Sequence, residues 1–213
     1  MNKMTMEIRA LCYAYTPNLH LLRDISYVFE GGKAYAILGP SGCGKTTLLS
    51  LLGGLDSPTD GTILVNGEDI AKKGLAYHRQ KRISFVFQNY NLIDYLTPME
   101  NVQLTSSVPP LPVLEKVGLD KDMCRRSVLK LSGGQQQRVA IARALASDSG
   151  ILLADEPTGN LDADTSQGVI DLLLDSAHGD SAKCVIVVTH STDLADRMDV
   201  RLCLRNGKLE NIA

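Results

Sequence analysis

Apolar residues of this chain occur in short continuous runs separated by glycine, proline and polar residues. Short β-branched and aliphatic runs between turn residues predict buried strands, which we place at residues 8–13, 25–29, 33–38, 62–65, 83–87, 151–154 and 184–189. Apolar residues spaced three or four positions apart predict helices after residue 44, from residue 98, and at 113–117, 136–146 and 166–176. Since strands alternate with helices, we predict an α/β fold with a parallel sheet covered on both faces.

Turn and capping residues set the boundaries of several elements. Asn66-Gly67 predicts a tight β-hairpin, and Thr16-Pro17-Asn18 predicts a turn between the first two strands. Thr97-Pro98-Met99-Glu100 is typical of a helix start, with a capping Thr, Pro at the first helical position and Glu completing a capping box. Three prolines end that helix: Pro109, Pro110 and Pro112. We therefore predict that residues 89–131 form a small helical lobe.

The stretch GPSGCGKTT lies between a predicted strand and a leucine-rich helical pattern. Its glycines allow backbone N–H groups to converge on phosphate oxygens at a helix N-terminus, where the helix dipole also favours an anion. Lys45 adds a positive charge for the β- and γ-phosphates, and the Thr46 hydroxyl is a suitable Mg²⁺ ligand. We therefore predict that a nucleoside triphosphate binds to this loop, through Gly39, Pro40, Ser41, Gly42, Cys43, Gly44, Lys45, Thr46 and Thr47.

Polar residues follow three predicted strands directly: Gln88, Asp155 and His190. The carboxyl ends of parallel strands meet at one edge of a sheet, where α/β proteins bind ligands. We predict that Asp155 and Gln88 join Thr46 in the Mg²⁺ shell, and that Glu156 accepts the proton of the attacking water. The predicted catalytic set consists of Lys45, Glu156 and His190. Within this set, His190 is expected to contact the γ-phosphate. The alternatives are a structural histidine and an acidic turn that faces solvent.

Composition limits the classes of function. The chain has 213 residues, enough for one sizeable core, and its net charge of −2 gives no indication of nucleic-acid binding. Its five cysteines form no CxxC pair, so we expect reduced thiols in the cytosol rather than a zinc site or disulfides. The apolar runs are shorter than the roughly 20 residues that span a bilayer, so a membrane role requires another chain.

A second candidate anion site occurs at Leu131-Ser132-Gly133-Gly134-Gln135, before the helix predicted at 136–146. A serine at a helix cap followed by two glycines exposes another row of backbone amides. One chain needs only one such cradle for one γ-phosphate. We therefore expect the second cradle to contact the nucleotide of a second molecule.

Together these motifs resemble those of ABC-transporter ATP-binding subunits over essentially the whole chain. The matching segments are GPSGCGKTT at 39–47 (Walker A), Gln88 (Q-loop), LSGGQQQR at 131–138 (signature), ILLADE at 151–156 (Walker B), Gly159-Asn160-Leu161-Asp162 (D-loop) and His190 (switch histidine). Tyr15 resembles the aromatic residue on which the family stacks adenine, although a loop tyrosine also commonly packs into a core. Six motifs in the same order are far more specific than any one of them.

The resemblance implies a P-loop NTPase fold, with a RecA-like parallel sheet core, an antiparallel β subdomain and an inserted helical subdomain. We expect a single ATP-binding domain at 1–213, with the core and β subdomain at 1–88 and 132–213 and the helical subdomain at 89–131.

The resemblance also implies an ATPase that forms a head-to-tail homodimer over two ATP molecules with Mg²⁺. In such a dimer, the cradle of one copy contacts the γ-phosphate held by Lys45 of the other, through Ser132, Gly133, Gly134 and Gln135. Asp162 would carry contacts between the two sites. Closure of the dimer would move the helical lobes and, through them, a separate membrane permease, which would hold the subunit at the cytoplasmic face of the membrane.

Two segments, QNYNLIDYLTPMENV at 88–102 and LADEPTGNLD at 153–162, resemble the macrolide-exporter, lipoprotein-release and cell-division branch of the family. This implies an exporter or an extracytoplasmic-release system. One departure concerns the segment between Gln88 and Ser132, which is shorter than is usual and carries Val108-Pro109-Pro110-Leu111-Pro112 where a longer helical stretch is expected. Because residues 105–125 face the permease in the family, this departure bears on coupling.

Two other classes remain as alternatives. A soluble ABC protein that acts on DNA or the ribosome usually carries two ATPase domains, cysteine clusters or basic tails, which this chain lacks. A P-loop kinase or GTPase has no use for the signature sequence.

Overall fold

The computed structural model places the strands in two sheets and describes residues 4–16, 19–106, 108–179 and 183–212. The first sheet is antiparallel and contains β1 (Thr5–Thr16), β2 (Leu19–Glu30), β4 (Asp60–Val65) and β5 (Glu68–Asp69), in the spatial order β2-β1-β4-β5. The second sheet contains β3 (Lys33–Leu38), β6 (Ile83–Val86), β7 (Ile151–Asp155), β8 (Cys184–Val188), β9 (Val200–Arg205) and β10 (Lys208–Ile212). Its order is β10-β9-β3-β8-β7-β6, and only the β10–β9 pair is antiparallel among these described strands.

Helices connect these strands and cover the second sheet. They are α1 (Lys45–Leu52), α2 (Ile70–Lys73), α3 (Leu75–Lys81), α4 (Pro98–Gln103), α5 (Pro110–Lys116), α6 (Gly133–Leu145), α7 (Ala163–His178) and α8 (Thr192–Asp196). Two short 3₁₀ helices, Met123–Arg125 and Val128–Lys130, precede α6.

The parallel sheet is buried on both faces, because successive side chains of a strand point to opposite sides. In β3, Ala34 and Ala36 belong to a core formed with α6, α7 and the helices after β6. Tyr35 and Ile37, on the opposite face, belong to a second core formed with α1 and the first sheet. The predicted α/β fold with a doubly covered parallel sheet is therefore confirmed.

The segment between β6 and α6 is helical, as predicted. Thr97 caps α4: its hydroxyl accepts a hydrogen bond from the Glu100 amide at 3.2 Å, and the Glu100 carboxylate accepts one from the Thr97 amide at 2.8 Å. The next helix, predicted at 113–117, starts earlier, at Pro110. Proline fits the first turn of a helix because its missing N–H would have no intrahelical partner there.

Several elements were not predicted. The helices α2 and α3 are short and mostly polar, each burying a single side chain (Ile70 and His78), so their sequence carries little apolar periodicity. The strands β9 and β10 were not predicted either, but the turn between them carried a usable sequence signal. Asn206 and Gly207 have φ values of 53° and 77°, the conformation of a tight hairpin turn, like Asn66 and Gly67 with 52° and 79°.

Other boundaries moved by a few residues. The helix predicted at 136–146 begins at Gly133 and the one predicted at 166–176 begins at Ala163, because Ser132 and Asp162 cap them. Pro17 and Asn18 of the predicted first turn lie outside the described residues. Within the described ranges, none of the helices combines the length and apolar character that crossing a bilayer requires.

Candidate active site

The loop between β3 and α1 depends on glycine at two positions. Gly39 has a φ of 156°, and a Cβ atom there would lie 2.5 Å from the carbonyl oxygen of Leu204 in β9. Gly44, the N-cap of α1, has a φ of 105°. No side chain of the described residues caps this helix. The first amides of α1 therefore remain available to an anion, as expected of a phosphate-binding loop.

Lys45 and Thr46 follow this loop and connect it to the end of β7. The Lys45 ammonium donates hydrogen bonds to the carbonyl oxygens of Gly39 at 2.7 Å and Pro40 at 3.2 Å. The Thr46 side chain is hydrogen-bonded to the carboxylate of Asp155. Lys45 and two of the predicted metal ligands, Thr46 and Asp155, therefore lie close to one another.

Asp155 ends β7 and is only 8% exposed. Burial raises the pKa of its carboxyl above the ordinary value, and the neighbouring Glu156 raises it further, whereas the Thr46 hydrogen bond and the Lys45 charge act against the rise. The ionised carboxylate is thus incompletely compensated by its surroundings. A divalent cation at this position would stabilise it directly.

Glu156 lies beside Asp155 with its backbone in the left-handed region, at a φ of 48°. Its amide donates to the carbonyl of Val188, which fixes the turn to β8. One carboxylate oxygen is 2.7 Å from His190 Nδ1, and the other accepts a hydrogen bond from the Thr189 hydroxyl at 3.1 Å. These contacts hold the carboxylate in one orientation, which suits a general base.

A cavity of about 370 Å³ joins most of the predicted site. It is lined by Tyr15, Leu21, Ser41, Gly42, Gly44, Lys45, Thr46, Thr47, Gln88, Asp155, Glu156 and His190. The loop residues Gly39, Pro40 and Cys43 are outside this set, and Pro40 and Cys43 line a second cavity that shares Ser41 and Gly42 with the first. The structure therefore brings together residues that are up to 175 positions apart in sequence (190 minus 15).

Tyr15 is not a core tyrosine. Its side chain is 59% exposed, its hydroxyl lies 3.0 Å from the Thr47 hydroxyl, and its ring makes an edge-on contact with Tyr13 at 5.3 Å between centroids. An exposed aromatic ring thus lies at the rim of the cavity.

The second cradle, residues 132–135, does not contribute to the lining described for this cavity. Ser132 caps α6 as predicted: its hydroxyl accepts from the Gln135 amide at 3.3 Å, and the Gln135 side chain accepts from the Ser132 amide at 2.9 Å. Ser132 and Gly133 are exposed. The cradle is therefore a separate surface, open to another molecule.

The loop at 159–162 lies against this cradle. A Cβ atom on Gly134 would contact the side chain of Leu161 at 3.4 Å. Asp162, predicted to carry contacts between sites, caps α7 by accepting hydrogen bonds from the amide and hydroxyl of Thr165, and these bonds lower the pKa of its carboxyl.

A residue that contacts the proposed base was not predicted. Thr189 is fully buried and holds both Glu156 and the Ser191 amide through its hydroxyl. Its position at the end of the apolar run before His190 was the available signal.

Known proteins are similar to this chain over most of its length. A family model described as ABC transporter matches residues 22–159. An uncharacterized ABC transporter ATP-binding protein of Bacillus subtilis, YclH, is 46% identical over 206 residues, covering 91% of both chains. The lipoprotein-releasing system ATP-binding protein LolD of Syntrophus aciditrophicus is 41% identical and covers 92% of both chains.

Solved structures agree with these sequence matches. The dimeric structure of MJ0796, a bacterial ABC transporter cassette, has a TM-score of 0.87 and 33% identity, covering 98% of this chain and 99% of that one. A dimeric post-hydrolysis state of MJ0796 bound to ADP and Pi has the same TM-score and 32% identity. The expected P-loop NTPase fold is confirmed. The chain therefore belongs to the ABC transporter family as an ATP-binding cassette, and it is an ATPase.

Proposed function

We propose that this chain is the ATP-hydrolysing subunit of a membrane transporter and works as a head-to-tail homodimer. The observation that carries the proposal is the separation of two anion cradles. One, at residues 39–47, opens into a cavity with the candidate catalytic groups, whereas the other, at 132–135, is exposed and apart from that cavity. The dimeric form of MJ0796, at 33% identity, supports closure between two copies.

In the proposed site, ATP binds with its phosphates on the loop amides and Lys45. The ammonium already lies over the loop at 2.7 Å from the Gly39 carbonyl, so a γ-phosphate would compete with neutral carbonyl oxygens for its hydrogen bonds. Tyr15 presents its ring at the rim of the cavity and is proposed to stack on adenine.

Mg²⁺ fits the donor set of this cavity. Thr46, Gln88 and Asp155 all line it and offer oxygen atoms, which Mg²⁺ prefers, usually with one or two carboxylates and several waters. Burial raises the pKa of Asp155 even though the Lys45 charge lowers it, so a further positive charge would stabilise the ionised carboxylate. A bound Mg²⁺ would neutralise charge on the phosphates.

Glu156 is the proposed general base. Its carboxylate is held from two sides, by Thr189 and His190, and His190 is 74% exposed on its side chain, so it can also reach a ligand in the cavity. In the proposed step, Glu156 accepts a proton from the water that attacks the γ-phosphate. The amides of the partner's cradle that its capping box does not use complete the charge stabilisation.

The proposed site of the permease is a groove between the core and the helical lobe. It has a volume of about 560 Å³ and is lined from the core by α3 and β6 and from the lobe by Leu104 and Thr105. Phe87 and Asn91 also line it, while Gln88 between them lines the ATP cavity. Residues 87–91 thus contribute to both the groove and the ATP cavity, and this segment would couple bound ATP to the permease.

The similarity to LolD supports the release or export branch, and the permease would hold the subunit at the cytoplasmic face of the membrane. The residues proposed to bind the chain's own ATP are 39–47 and Tyr15. The residues proposed to contact the partner's ATP are Ser132, Gly133, Gly134 and Gln135, and Asp162 is proposed to carry contacts between the two sites.

Co-purification tests the permease. We expect the tagged chain, expressed with its neighbouring genes, to retain an integral membrane protein in detergent. Leu104→Glu should reduce that retention, because Leu104 is 56% exposed and lines the groove. Leu129→Glu is the matched control, since Leu129 is 64% exposed outside that lining. Retention of ribosomes or DNA without a membrane protein would contradict the proposal.

A mixing experiment tests the shared site. A Lys45→Ala variant and a Ser132→Ala variant should each be nearly inactive alone. In a mixed dimer, the intact loop of one copy meets the intact cradle of the other. The 1:1 mixture should therefore hydrolyse more ATP than the sum of its parts, and strict additivity would refute the head-to-tail arrangement.

A further inference from the structure

The hydroxyl of Tyr90, two positions after Gln88, contacts two separate parts of the molecule. It accepts a hydrogen bond from the Asn160 side-chain amide at 3.3 Å. The same hydroxyl would lie 3.1 Å from a Cβ atom placed on Gly133, so it is packed against the first turn of α6. The side chain of Tyr90 therefore joins the Gln88 loop to the cradle and to the 159–162 loop.

The backbone of the same segment is held by Arg143. Its guanidinium donates hydrogen bonds to the carbonyl of Asn91 at 2.6 Å and to that of Tyr90 at 3.0 Å. Tyr90 and Asn91 have φ values of 52° and 48°, in the left-handed region that is uncommon for residues other than glycine and that asparagine adopts more readily than tyrosine. Two hydrogen bonds from a charged group compensate for that conformation, and the planar guanidinium can make both at once.

Both anchors lie on one rigid element. Gly133 and Arg143 are ten residues apart (143 minus 133) on α6, or about 15 Å along its axis. The helix α6, which Ser132 caps, thus holds the Gln88 loop at two points, one near each end of the helix. A displacement of Gln88 and a displacement of the cradle are then geometrically linked.

We propose that Tyr90 and Arg143 are positioning residues that form a latch, fixing the Gln88 loop to α6 and to Asn160. Within the proposed function, on which this role rests, the latch makes Gln88, a proposed Mg²⁺ ligand at the chain's own ATP, move together with the cradle that contacts the partner's ATP. Neither Tyr90 nor Arg143 belongs to the described lining of the ATP cavity, so both act on the chain's own ATP through other residues.

Tyr90→Phe removes only the hydroxyl and is the main test. We expect kcat for ATP to fall by about threefold or more with little change in KM, because the ATP cavity is intact and the cradle is misplaced. Tyr95→Phe is the control: Tyr95 is 81% exposed, and its kcat should match the unmodified chain. Unchanged kcat in Tyr90→Phe, or an equal loss in both variants, would overturn the latch.

Arg143 provides a second test that is independent of dimerisation. Lysine keeps the charge but cannot bridge two carbonyls in the fixed geometry of a guanidinium, so amide hydrogen exchange at 88–92 in the nucleotide-free chain should be faster in Arg143→Lys and fastest in Arg143→Met. Unchanged exchange would refute the latch. If exchange rises while the unmodified chain neither dimerises nor hydrolyses ATP, the latch stands and the proposed function fails.

Discussion

The two anion cradles begin helices in opposite ways. At α1 the N-cap is Gly44, with a left-handed backbone and, among the described residues, no capping side chain. At α6 the N-cap is Ser132, with an extended backbone and a complete capping box with Gln135. The first helix start is open to a ligand, whereas the second satisfies part of its own hydrogen bonding.

This difference separates a binding site from a contact surface. The amides of α1 face a cavity that also contains Lys45 and Asp155, so phosphate and metal can both be held there. The start of α6 is stable without a ligand and presents the Ser132 hydroxyl at the surface. A helix that must fold before its partner arrives benefits from such a cap.

Loss of the proposed base should have the largest effect. Glu156→Gln keeps the size of the side chain but removes the proton acceptor, so we expect kcat to fall roughly a hundredfold or more while ATP binding is retained. With ATP, the variant should accumulate as a dimer in gel filtration, and phosphate release measures turnover.

Glu115→Gln is the control for this variant, because Glu115 is exposed in α5 and does not belong to the cavity lining. A Glu156→Gln protein that remains monomeric with ATP and hydrolyses it normally would exclude Glu156 as the base.

Removal of a cap should separate the two functions of Ser132. Ser132→Ala and Thr97→Ala each break a capping box, at a typical cost of about 1 kcal/mol, and both should lower Tm by about 2–4 °C. Only Ser132→Ala should lose turnover, by roughly tenfold or more, because it also removes a donor to a charged phosphate. Equal turnover in the two variants would reduce Ser132 to a structural cap.

Sequence patterns predicted those parts that depend on local chemistry. Gly39, Lys45 and Asp155 were found because glycine conformations, a lysine and a strand-closing acid each leave a local signature. The buried strands β7 and β8 were equally clear, since each is apolar throughout before its closing polar residue.

What the sequence did not predict depends on contacts between distant residues. The polar helices α2 and α3 follow from packing of Ile70 and His78, with little periodicity of their own. The Arg143 bonds to Tyr90 and Asn91 join positions 52 and 53 residues apart, and no local pattern indicates them. Thr189 is similar, since its role appears only when Glu156 is placed beside it.

The smallest effect should be an opposite pH dependence of stability in the two regions. Burial raises the pKa of Asp155, so the folded state binds the carboxyl proton more tightly than the unfolded state does. The stability that this proton contributes is complete below the unfolded pKa and is lost as pH rises through the folded pKa. Hydrogen bonds from Thr165 lower the pKa of Asp162, so its contribution is present above the unfolded pKa and is lost as pH falls through the folded pKa. In nucleotide-free protein at neutral pH, Asp155→Asn should therefore raise Tm and Asp162→Asn should lower it, and both differences should shrink towards the acidic range. Thermal unfolding between neutral pH and the ordinary pKa of aspartate measures this. Tm shifts of the same sign in both variants would show that the region around Asp155 does not hold an ionised carboxylate that a cation would stabilise.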